Sequence, residues 1–127
     1  MDKKHANLAQ AWKSYSELSD RFGVGSPEAE LLWWAYDELE QLISNHPFDA
    51  LEIILAILEI TKDGRTIASL AAGPLESLLV KHGKRVVERV IGHATTDPRF
   101  YELLQGVWGN SVDRDVWKAI EVLYKPK

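Results

Sequence analysis

The stretch SLAAGPLESLLVKHG, residues 69–83, places a carboxylate and an imidazole, Glu76 and His82, six positions apart. Such a pair is the minimum for general acid–base chemistry if the fold brings the two groups within hydrogen-bond reach. Six positions on a regular helix put them on different faces, because neighbours on one face stand three or four apart. The other histidines, His5, His46 and His93, are scattered, and no HExxH, Glu-x-x-His or nucleophile-elbow pattern occurs. Cysteine is absent, which removes disulfides, thiolate nucleophiles and thiolate metal sites. The FGVG turn at 22–25 lacks the lysine and the preceding strand of a phosphate loop. The expectation is a protein that is not an enzyme and uses no metal or cofactor.

Binding chemistry is better represented. Residues 16–60 hold ten acids against one base, Arg21, although the whole chain carries only −4. In PFDALEIILAILEIT, residues 47–61, Asp49, Glu52 and Glu59 recur along one narrow strip with Ala56 between them, and Asp63 continues it. The rest of that segment is apolar, so the strip should be its only wet edge. In the preceding segment, Trp33, Tyr36, Asp37 and Glu40 lie off the main Leu32/Ala35/Leu39/Leu42 stripe. Antiparallel packing would set Asp37 and Glu40 beside the acidic strip and build a groove, with Trp33 and Tyr36 either on its side or packed against the N-terminal helix. Carboxylates beside aromatic rings suit Lys or Arg, through charge pairing and ring-face attraction. A cationic protein partner is therefore expected, and such an acidic surface disfavours nucleic acid.

A stripe of opposite sign, Lys81, Arg85, Arg89 and His93, recurs at four-residue spacing. It can hold a phosphate or acidic groups. It lacks the interleaved aromatics of a single-stranded nucleic-acid surface, and a solvated face partly paired with Glu88 is the expectation.

The elements that position these residues read as helices throughout. Leu8, Ala11, Trp12, Tyr15 and Leu18 give residues 6–21 a helical period. Ser26-Pro27 and Asp97-Pro98 are cap-plus-proline starts, for helices over about 27–45 and from 98 through Trp108. Residues 47–61 should form a central helix, since they are apolar around most of the circumference. Gly73 is expected to end one short helix in a left-handed conformation and Pro74 to start another, making a sharp joint, with Gly83 closing that second helix. Val86 to Ala94 and Val112 to Leu123 supply two more, the last closed near Pro126.

Short connections make successive helices antiparallel neighbours. The fold class is all-α, a small HEAT/armadillo-like array or an irregular helical bundle, in one domain over 1–127. That length buries about two thirds of the unfolded surface, enough for a core. No apolar leader opens the chain, and LLWWAY is far short of the roughly 20 residues a membrane helix needs. A cytoplasmic setting without membrane contact is expected.

LAAGPLESLLVKHG, followed by IGHATTDPRFYELLQGVW, resembles an uncharacterised bacterial domain family. The residues that carry the resemblance include Ala72, Gly73, Pro74, Leu75, Glu76, Leu79, His82, Gly83, Asp97, Pro98, Phe100 and Trp108, within a similarity over roughly residues 30–120. The family carries no assigned activity, so the resemblance implies no mechanism. It does single out Glu76 and His82, whose charges near the two ends of a short helix also complement its dipole.

Two functional classes follow. The first is a protein-interaction module, neutralising or regulating a partner as immunity proteins of toxin systems do. The second is a small-ligand or enzymatic domain with a pocket around Glu76 and His82. A homodimer through Trp33 and Tyr36 is a third reading.

Overall fold

The computed structural model describes residues 3–124, and among them all regular structure is helical. The closing of the last helix near Pro126 lies outside the described residues. The order is α1 (Lys3–Phe22), α2 (Pro27–Glu30), α3 (Trp33–Asn45), α4 (Pro47–Ile60), α5 (Gly64–Leu70), a π-helical turn (Ala71–Leu75), α6 (Glu76–Thr96), α7 (Pro98–Gln105) and α8 (Arg114–Glu121). A 3-10 turn at Val122–Tyr124 ends it. No helix among the described residues is long and apolar enough to cross a membrane.

The start signals act as their chemistry demands. The Ser26 hydroxyl accepts the Ala29 amide at 3.3 Å, and the Asp97 carboxylate accepts that of Arg99 at 2.9 Å. Asp63 caps α5 and Asp113 caps α8 in the same way, each satisfying amides that a helix start leaves without partners.

Helix α4 is the centre. Leu51, Ile53, Ile54, Ala56, Ile57 and Leu58 are all buried on it, and α1, α3, α5, α6 and α7 pack around it. Burying an aliphatic side chain of this size contributes about 2 kcal/mol, so this one helix supplies a large share of the core. Ala56, expected on the wet edge, is inside because α4 is surrounded on more sides than its acids implied.

Helices α1 and α3 run antiparallel. Leu8 lies near Glu38, Tyr15 meets Tyr36 with ring centroids 5.8 Å apart, and Ser19 lies near Trp33.

Four boundaries differ from expectation. The 27–45 helix is broken at Leu31–Leu32, where Leu32 takes φ −114°, ψ 8°. The helix expected to reach Trp108 stops at Gln105. Gly73 and Pro74 do not make a sharp joint. They sit inside the π turn, which runs straight into α6, and Gly73 is not left-handed. The physical reason is Pro74: it has no amide to give the Leu70 carbonyl, and one extra residue in the turn relieves the mismatch. The bend instead falls at His82 (φ −136°, ψ 26°), inside α6. Gly83 does not close a helix either. It is buried beyond that bend, where a Cβ would meet Val116 at 3.1 Å.

Candidate functional site

Glu76 and His82 are held apart, each by a backbone group of another segment. The Glu76 carboxylate accepts the Trp108 amide at 2.9 Å. The His82 Nε2 bonds the Ser44 carbonyl at 3.0 Å, which requires that nitrogen to carry the proton. Glu76 therefore fastens the segment after α7, and His82 ties the bend of α6 to the end of α3. The hollow that His82 lines does not include Glu76. No shared acid–base site forms between them.

What the structure assembles instead is a hollow of about 610 Å³ beside the π turn. Helix α1 supplies Trp12, Tyr15 and Ser19 from successive turns of one face, and α3 supplies Trp33 and Tyr36. Gly73 and Pro74 form the facing wall. Trp33 is 45% and Tyr36 42% exposed, while Trp12 beneath them is 4% exposed. Val24 stands at the rim, 85% exposed, between Gly23 and Gly25 with φ of 99° and 83°. Those left-handed glycines let the chain turn sharply from α1 toward α3 and push Val24 outward. Phe22 and Leu31 flank the same turn and are exposed as well. Large apolar side chains left in water together mark a contact surface more often than an accident of packing.

The polar groups of the hollow are arranged unevenly. Trp12 Nε1 and Ser19 Oγ are buried without a hydrogen-bond partner in the protein. Burial pushes the Tyr36 phenol above its ordinary range, with Glu40 and Tyr15 adding to the effect. A larger hollow of about 730 Å³ lies along the same half of α1, but charged side chains dominate it, among them the Asp20–Arg65 pair at 3.1 Å. It offers no aromatic wall, and the smaller hollow is the better-formed site.

The expected groove is therefore divided. Trp33 and Tyr36 are together in the aromatic hollow, with Glu40 close enough to act on the phenol. Asp37 lines a separate hollow with Trp34 and Gln41. Asp49, Glu52 and Glu59 are exposed along α4, as their spacing implies, and none of the three lines the aromatic hollow. Sequence reasoning read Trp12 and Tyr15 only as part of a helical period and did not see Ser19 or Val24. The available signal was serine at 16 and 19 on the same face as Trp12 and Tyr15, which marks a stripe not wholly buried. Among the described residues no group of three or more His, Asp or Glu side chains is placed to hold a metal ion.

No curated protein and no solved structure matches the chain. A family model does match, over residues 24–126, so it takes in every element after α1, including the π turn, Glu76 and the Trp108 segment. The chain belongs to that family, described as Family of unknown function (DUF6869).

Proposed function

We propose that this protein is an interaction module that captures a cationic segment of a protein partner in the aromatic hollow between α1, α3 and the π turn. In a cytoplasmic setting such capture would neutralise or regulate the partner, in the manner of an immunity protein, without catalysis by this chain. The observation that carries the reading is the pair Trp33 and Tyr36, half-exposed over a hollow and set in the most acidic part of the chain. Half-exposed aromatics on helices are the side chains that most often anchor a partner, and ring faces attract Lys and Arg. Asp49, Glu52 and Glu59 lie outside the hollow and act at longer range, steering a positive partner toward it.

Random peptides displayed on phage, selected on the native chain and counter-selected on the Trp33→Ala/Tyr36→Ala variant, test this. Enriched peptides should carry Lys or Arg beside an apolar residue and bind Trp33→Ala about tenfold more weakly. Their affinity should fall as salt rises, and less steeply in Glu52→Gln/Glu59→Gln. Acidic enriched peptides, or equal affinity for a folded Trp33→Ala, would overturn the reading.

The unpartnered Trp12 Nε1 and Ser19 Oγ favour a second reading, a small amphipathic ligand seated in the same hollow. Native mass spectrometry separates the two, because a seated ligand adds a discrete mass that Trp33→Ala removes.

A further inference from the structure

We propose that Arg85 and Arg89 on α6 form a binding site for a phosphate group, on a surface separate from the aromatic hollow. The two guanidinium carbons lie 5.6 and 4.5 Å from the centroid of one ring, that of Phe48 in the first turn of α4. The sequence stripe lacks an aromatic of its own, and the fold brings one from a neighbouring helix.

A guanidinium that rests against a ring uses its flat, weakly hydrated face and keeps its in-plane N–H groups for an acceptor. Neither Arg85 nor Arg89 has an ion pair or side-chain hydrogen bond among the described residues, and the pairing expected with Glu88 does not form. Both sit near the same ring and stand four residues apart on α6, where side chains are neighbours, so one anion can reach both guanidinium groups. Lys81 and Lys84 add positive charge on the preceding turn. Lys81 leans on the Ser44 hydroxyl at 3.3 Å, and Lys84 stands 3.7 Å from Asp113 with both side chains exposed.

The acids around the site set its selectivity. Asp49 and Glu52 follow Phe48 on α4, Glu88 lies between the two arginines in sequence, and Asp113 faces Lys84. Asp113 also lines one hollow with Arg85, and its charge disfavours an extended polyanion there. Phosphate fits better than a carboxylate, because its oxygens can accept from two guanidinium forks at once.

The test follows the arginine Nε–Hε signals of the full chain by nuclear magnetic resonance at constant ionic strength. One arm adds inorganic pyrophosphate and the other O-phosphoserine. Saturable shifts should appear at Arg85 and Arg89 and not at Arg21, a guanidinium 5.4 Å from the Phe22 ring in a hollow lined by Glu17, Asp20 and Asp63. Arg89→Gln should abolish them. Phe48→Leu should weaken binding about two- to fivefold, the worth of an exposed cation–ring contact. Tighter binding of pyrophosphate points to a free oligophosphate, and tighter binding of O-phosphoserine to a phosphorylated side chain. Shifts that stay linear to about 10 mM in both arms, or equal shifts at Arg21, overturn the site. So do saturable shifts that survive Arg89→Gln. A failure here leaves the aromatic hollow untouched, since the two surfaces share no residue.

Discussion

The five residues of the π turn have two sides that differ sharply. One side is sealed: a Cβ on Gly106 would meet the Ala71 methyl at 2.9 Å, Glu76 just beyond the turn holds the Trp108 amide, and a Cβ on Gly109 would fall 2.1 Å from the Trp117 ring. The other side, at Gly73 and Pro74, opens on the aromatic hollow, and a Cβ on Gly73 would meet nothing within 4 Å. The sealed side spends two glycines and a side-chain-to-backbone hydrogen bond on close contact. The open side leaves aromatic rings in water and two buried polar atoms without partners. That asymmetry teaches where function belongs. Tight closure fixes the backbone of the turn, and a fixed turn gives the hollow a wall that need not be ordered at the moment of binding.

Substitutions at three positions test the contrast, beginning with the largest effect. Gly109→Ala places a methyl inside the Trp117 ring and should cost about 3 kcal/mol in urea unfolding, at the upper end of what overpacking does. A loss below about 1 kcal/mol would mean that the sealed side has slack and the contrast is weaker than drawn.

Glu76→Ala removes the acceptor of the Trp108 amide and should cost about 1 kcal/mol, with faster hydrogen exchange at Trp108. Glu76→Gln keeps an acceptor and should lose less. Unchanged exchange in Glu76→Ala would show that the carboxylate does not hold this segment.

Gly73→Ala should have the smallest effect, and of opposite sign. The residue lies inside a helical turn, is not left-handed and has free space where the methyl would go. Replacing it should stabilise by about 0.5 kcal/mol, since glycine loses more backbone entropy on folding. A destabilised Gly73→Ala would restore the sharp joint that the sequence suggests.

The helical class, the central position of α4 and most helix starts were legible because each rests on local chemistry. Ser26, Asp97 and the prolines beside them act within one turn of themselves. The break at Leu31–Leu32 was not legible, for no glycine or proline marks it. Gly73-Pro74 misled for a related reason. The pair permits both a joint and a widened turn, and the packing of Ala71 and Leu75 into the core selects the second. In the site, the exposure of Asp49, Glu52 and Glu59 followed from spacing on one helix, whereas their distribution relative to Tyr36 and Asp37 depended on which face of α3 each neighbour covers.

The sequence by itself determined the all-α class, the amphipathic faces, the acidic half and the basic stripe, because periodicity and capping act over three or four residues. Only the tertiary structure decided that Trp12 and Tyr15 meet Trp33, Tyr36 and Pro74 around a hollow, and that Phe48 lies under Arg85 and Arg89. It also decided that Glu76 and His82 serve other segments and not each other. Those pairings join residues between about 20 and 60 positions apart, and no local propensity encodes them. They follow from how the helices bury their apolar faces around α4, which fixes every remaining face at once.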